Sequence, residues 1–184
     1  NVDFAVSAQS YSITVGAGGA GGLPTQQSGQ NGSDSVFSSI TSIGGGAGVT
    51  GASQTGANGI PGQGYAGGDN KNTPNYGGGG GGGANAIGQN GTTTYGGAGG
   101  AGKYSIISGI SKAYAGGGGS AIYENGTTAG AGGVGGGGNG QIFNIGSPTS
   151  GTINTGGGGG GSGQAAFTGG AGGSGIVIVR YKYQ

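Results

Sequence analysis

The chain has no cysteine, histidine, methionine or tryptophan. Without cysteine no disulfide holds the fold, and without cysteine and histidine the usual zinc ligands are missing. Charge is nearly as scarce: 5 % of the 184 residues are charged, and the formal net charge is +1. The acids Asp3, Asp34, Asp69 and Glu124 lie far apart in sequence, so neither a paired-carboxylate hydrolase nor a metal-ligand spacing is visible. Four lysines and Arg180 are scattered and form no basic stripe for a phosphate backbone. No apolar run is long enough to span a membrane, and no signal peptide is evident. These absences leave no catalytic residue, no metal ligand and no cofactor to nominate. They point to a non-enzymatic chain that binds no nucleic acid and does not insert into membranes. The sequence starts at Asn1 rather than Met, so residues 1–184 are expected to be one domain of a longer chain.

What the chain has is glycine, 60 residues of it. A collagen helix needs Gly at every third position and abundant proline, but this chain has four prolines and long all-glycine runs. Gly/Ser-rich sequences also form disordered linkers; against that, the apolar and aromatic residues recur at defined places. Gly16–Gly21 follows a strand-like run and matches the G-x-G-x-x-G of a dinucleotide site. The same pattern returns at 97–102, 130–135 and 170–175. No copy opens a helix, so no helix N-terminus is there to hold a pyrophosphate, and four copies in a short chain indicate a structural repeat. A near-miss P-loop, Gly97 to Lys103, fails because Tyr104 stands where a magnesium-binding hydroxyl belongs.

The copies share a period of three: Ala17 and Ala20, Ala98 and Ala101, Ala131 and Val134, Ala171 and Ser174. Three is the repeat of the left-handed polyproline-II geometry, whereas helices and strands repeat at 3.6 and 2. Side chains then form one row, and the other two faces are bare backbone that neighbours can approach closely. All-glycine runs at 77–83 and 156–161 are bare on every face and are expected inside. A single such rod has no internal hydrogen bonds, and ordering each residue costs ~1–2 kcal/mol. Only a bundle, with N–H···O=C bonds exchanged between neighbours, satisfies the backbone. About nine passes are predicted, near 16–22, 44–48, 62–68, 77–83, 96–102, 115–119, 130–138, 156–163 and 169–175. Asn-Gly pairs at 31–32, 58–59, 90–91, 125–126 and 139–140 suit tight turns with positive φ. That reading is more economical than N-glycosylation at the three that match the acceptor pattern. Val36, Phe37, Ile40, Ile43, Ile106, Ile107 and Ile110 are expected to cap rod ends, and 2–15 and 176–183 alternate like strands.

Taken together, "YSITVGAGGAGG" (11–22), "ITSIGGGAG" (40–48), "YGGGGGGG" (76–83), "KAYAGGGGSA" (112–121), "INTGGGGGGSG" (153–163) and "GGAGGSGIVIVRY" (169–181) resemble the glycine-rich domains of bacteriophage tail-fibre adhesins and related virion proteins. The resemblance covers almost the whole chain. It implies a polyglycine-II sandwich, neither α nor conventional β. About nine or ten packed helices of that type would have short β-strands at the N- and C-termini and essentially no α-helix. In that family the rods carry variable loops that contact a bacterial surface receptor.

The expected function is therefore host recognition at a phage tail fibre. The partners would be a bacterial outer-membrane protein or glycan and other fibre or virion subunits, and the location the virion. The aromatic residues sit in or beside the connections, where a rigid scaffold presents binding groups and tyrosine offers contact area with few rotatable bonds. Tyr123 and Phe143, with Glu124, Asn125 and Asn144 beside them, lie deep in connections and suit receptor contact. Tyr104 is a further candidate, and so are Tyr76 and Tyr95, although their positions against glycine runs also suit packing across rod ends, as does that of Tyr114. The alternatives are a fibre component that assembles with copies of itself, since exposed rods leave backbone edges open, and an ice-binding protein. The long connections argue against the second.

Overall fold

With so little side chain to bury, order has to come from main-chain donors and acceptors. The computed structural model describes residues 7–24, 29–46, 58–71, 76–164 and 166–181. Among them the buried apolar side chains are Ala113, Ala121 and Ile122. Among the described residues there is no helix, and so none long and apolar enough to cross a membrane.

The described residues run as extended passes between two ends. Ascending passes are 16–22, 44–46, 65–71, 86–92, 115–122, 136–141 and 156–161; descending ones are 30–33, 77–84, 95–102, 128–134, 149–155 and 169–175. Hydrogen bonds between them step by three. Gly78, Gly81 and Ala84 donate to the carbonyls of Ala121, Gly118 and Ala115 at 3.1, 2.8 and 2.9 Å, an antiparallel pairing. Gly116, Gly119 and Ile122 donate to Gly135, Gly138 and Gln141 at 3.1, 2.8 and 3.1 Å, a parallel one. A β-ladder repeats every two residues and joins a strand to the two beside it. Pass 115–122 instead exchanges bonds with 77–84, 95–102, 128–134, 136–141 and 156–161, and at its first residue with 149–155.

Steric contacts repeat in the same way. A methyl group on Gly79 or Gly82 would overlap the carbonyls of Gly68 and Tyr65. On Gly80 or Gly83 it would meet Ala98 and the Gly100–Ala101 carbonyls, and on Gly81 it would crowd Gly118. Successive residues thus face three different neighbours, then the cycle repeats. Outer passes keep their expected row: Ala17, Ala20, Ala131 and Val134 are exposed while Gly18, Gly19, Gly132 and Gly133 are not.

Several sequence expectations are corrected. More passes are present than the nine or ten expected, because 23–43, 84–95 and 139–155 are not simple connections: they contain passes at 30–33, 86–92, 139–141 and 149–155. The expected single pass at 130–138 is two, folded at Gly135 and Gly136 with φ of +103° and +96°. Burial follows the number of neighbours rather than glycine content. Gly116–Gly119 is buried throughout, whereas Gly81 and Gly156, within the all-glycine runs, are exposed. None of the Asn-Gly pairs has positive φ. Asn90 and Asn139 lie within passes, where their Oδ1 atoms accept from the N–H groups of Asp69 and Gly132, both at 2.8 Å. An asparagine amide oxygen can stand in for a neighbour's carbonyl, so it extends the lattice instead of turning the chain.

Short strands gather at one end. β1 (Ile13–Thr14), β2 (Ser35–Phe37) and β3 (Ile40–Ser42) form a meander; β4 (Lys103–Ser105) and β5 (Lys112–Tyr114) form a hairpin. Bonding between 16–22 and 169–175 places residues 176–181 at this end too, here called the hairpin end. Residues 176–181 form no strand, and β1 pairs with β2 instead; residues 2–6 and 182–183 lie outside the described residues. The first and last passes close the bundle themselves, with Gly169, Gly172 and Gly175 donating to Gly22, Gly19 and Gly16. Phe37 stacks on Tyr11 at 5.7 Å, but Ile106 and Ile110 are two-thirds exposed on the β4–β5 hairpin rather than capping a rod.

Candidate functional site

The opposite end, the loop end, is made among the described residues by 22–24, 29–30, 76–77, 92–95, 122–128, 142–149, 161–164 and 166–169. Antiparallel bonding of 77–84 with 115–122 brings Tyr76 beside Tyr123, and parallel bonding of 115–122 with 136–141 brings Phe143 to the same place. The rings form a chain. Tyr123 meets Phe143 edge-on at 4.4 Å between centroids and Tyr76 at 6.1 Å. Edge-to-face contacts of this kind contribute ~0.5–1.5 kcal/mol beyond area burial. Tyr76 and Tyr95 remain close to half exposed, so the cluster is anchored yet open to solvent.

Beneath it the fold is tightly fastened. Ile122 has no exposed surface, and a side chain at Gly126 would collide with it, so the turn 123–126 lies directly over this residue. Phe143 donates its N–H to Ile122 at 3.0 Å. Gln141, 1 % exposed, donates from Nε2 to the Gly146 carbonyl at 2.8 Å and accepts from Ser162 Oγ at 3.0 Å. One buried amide thereby ties the 142–147 turn to the segment after 156–161. Thr92 Oγ1 accepts from Tyr95 N–H at 3.0 Å, and Thr127 donates from both N–H and Oγ1 to the Thr94 carbonyl.

Glu124 and Asn144 take left-handed conformations, φ +51° and +58°, as does Tyr76 at +46°. Such angles cost non-glycine residues of order 1–3 kcal/mol unless the surroundings fix them, and they mark where each pass ends and its loop begins. The loops 92–95, 123–127 and 142–148 contain a single charged residue, Glu124. With Lys71, beside Gly77, as the other charged residue at this end among the described residues, the surface offers aromatic rings, amides and hydroxyls with almost no net charge.

Of the candidates read from sequence, Tyr76, Tyr95, Tyr123, Glu124, Asn125, Phe143 and Asn144 all belong to the loop end. Tyr104 does not: it sits on β4 at the hairpin end, 63 % exposed. Tyr114, on β5, is with it. The supporting roles of Gln141, Ser162 and Gly126 escaped sequence reading, since a lone Gln or Gly in such a background carries no pattern. No group of three or more Asp, Glu, His or Cys side chains is close enough to hold a metal among the described residues.

A family model described as a glycine-rich domain matches residues 1–182. Comparison with curated proteins and with solved structures found no match.

Proposed function

The chain belongs to the glycine-rich domain family, and on that premise we propose that it is a non-enzymatic host-recognition module of a phage tail fibre. Its passes are polyglycine-II helices, and its loop end contacts a receptor, either protein or glycan, on the bacterial surface. The three-residue step of the hydrogen bonds and the rotation of successive glycines among three neighbours support the helix type. The observation that carries the functional reading is convergence. Seven candidates scattered between residues 76 and 144 meet at one end of a lattice joined by backbone hydrogen bonds, around the Tyr76–Tyr123–Phe143 rings. Fixed aromatic surfaces bind at low entropic cost.

The hairpin end is the fibre-facing end in this reading. Ile106, Ile110, Ile153 and Tyr181 are each at least two-thirds exposed there, the kind of apolar surface that marks a protein contact. The same observation favours a second reading, in which the domain assembles with its own copies.

Saturable binding of labelled domain to cells of a susceptible bacterium tests the proposal. Because the loop end is nearly uncharged, affinity is expected to change by less than about threefold between about 0.05 and about 0.5 M salt, a range that screens steered association strongly. Failure to bind any bacterial surface, with filaments forming in concentrated protein, would favour the second reading.

A further inference from the structure

Among the described residues, two sheet edges at the hairpin end have no strand partner: β3 pairs there with β2 alone, and β4 with β5 alone. Among the described residues no lattice hydrogen bond reaches Ile40–Ser42 or Lys103–Ser105. Thr41 and Ser42 of β3 and Lys103–Ser105 of β4 line one cleft of about 500 Å³ together with Gly62, Gln63, Ala84 and Ala115, and Gln63 Oε1 accepts from the Ile43 N–H at 2.7 Å just past the end of β3. Open strand edges are templates for another strand. Two such edges bounding a single cleft can accept a guest from both sides, joining the separate sheets in the order β1-β2-β3-guest-β4-β5.

Charge indicates which guest. Lys103 lines the cleft, and Lys112, paired across the hairpin with Ser105, holds its Nζ 5.4 Å above the Tyr114 ring, which also lines it. Neither lysine is held in an ion pair among the described residues. Asp34, the acid of the neighbouring meander, is engaged by the Gly44 N–H at 2.8 Å. The tail 176–181 of a second copy reads Ile-Val-Ile-Val-Arg-Tyr, with a cation and no acid, so a copy of this chain supplies the wrong sign. We propose that the cleft receives an extended acidic segment of a partner protein by strand addition, with acidic side chains on Lys103 and Lys112 and alternate apolar ones against Tyr104 and Ile40. Only the naming of that partner as a fibre subunit rests on the functional reading above; the cleft is tested on the isolated domain.

The probe is a capped hexapeptide alternating valine and glutamate, titrated into isotopically labelled domain. Amide shifts are expected at 40–42 and 103–105 together, with affinity at least about tenfold above that of a valine–lysine peptide. A proline at a central position, which removes a ladder donor, should weaken binding by at least about tenfold, and Lys103→Glu, which sets one acid against the remaining Lys112, should abolish the charge preference. Lys103→Gln serves if Lys103→Glu does not fold, and should reduce the preference without abolishing it. Equal affinity for the two peptides, shifts at one edge or neither, or equally tight binding of a galacturonate oligomer would overturn strand addition. Cell adsorption should be unchanged by saturating glutamate peptide, so loss of either property leaves the other measurable.

Discussion

Gly118→Ala is expected to destabilise the domain by about 3 kcal/mol or more, a large part of the 5–15 kcal/mol typical of a whole domain. The new methyl group would overlap the carbonyl of Gly159, which is backbone and has no rotamer to change. Pass 156–161 could give way only as a unit. It is held to the central pass by the Gly158 and Gly161 N–H groups, which donate to Gly116 and Gly119, both at 2.9 Å. Each bond lost costs ~1 kcal/mol net, and more where a buried group is left unpaired. Gly45→Ala is the matched control: a methyl there meets nothing within 4 Å, and φ is not in the positive range. It should be neutral or stabilise by ~0.4–1 kcal/mol through the unfolded chain. Chemical denaturation of the two variants gives both signs; equal effects would mean that the central glycines are not in backbone-to-backbone contact.

Tyr123→Ala is expected to weaken cell binding by about thirtyfold or more while leaving the fold intact. Its ring is the middle member of the chain that runs from Tyr76 to Phe143. Truncation therefore removes contact area and also releases both neighbours. Losing a central aromatic anchor costs ~2 kcal/mol or more in binding, which at ~1.4 kcal/mol per tenfold gives that factor. Gly-Ser replacement of 123–127 and 142–147 together, with glycine kept at 126, should abolish adsorption. Folding should survive because Ile122 and Gln141, the buried residues just before these turns, are retained. Tyr104→Ala, at the far end, should bind as the unaltered domain does. Adsorption lost with Tyr104→Ala but kept after the loop exchange would place recognition at the hairpin end.

The period of three was legible in Gly-Gly-Ala because each alanine must point away from a close neighbour, and the structure exposes Ala17, Ala20 and Ala131 accordingly. The number of passes was not legible. Runs such as 86–92 look like connections because they carry Gln89, Asn90 and Thr92, yet these residues lie where side chains can point outward or donate and accept in place of backbone. Glycine is required only where another pass lies opposite, and that depends on the tertiary arrangement. For the same reason the most buried run is 116–119, set by its five neighbouring passes, rather than the longer runs of glycine.

Grouping of the candidate residues was half legible. Aromatic type identified Tyr123 and Phe143 deep in connections and Tyr76 against a glycine run, and alternation of ascending and descending passes determines which end each one reaches. Tyr104 has the same local character, but its pass descends, so it emerges with the hairpins. Direction is a property of the whole threading and is set by every preceding turn.

Scalar couplings transmitted across hydrogen bonds test the lattice most directly, because each one names a donor and its acceptor. Couplings from the amides of Gly78, Gly81 and Ala84 to the carbonyls of Ala121, Gly118 and Ala115, together with Gly116 to Gly135 and Gly119 to Gly138, are the expected result. Donors spaced by two residues along a single partner, or no couplings from these glycines at all, would contradict it.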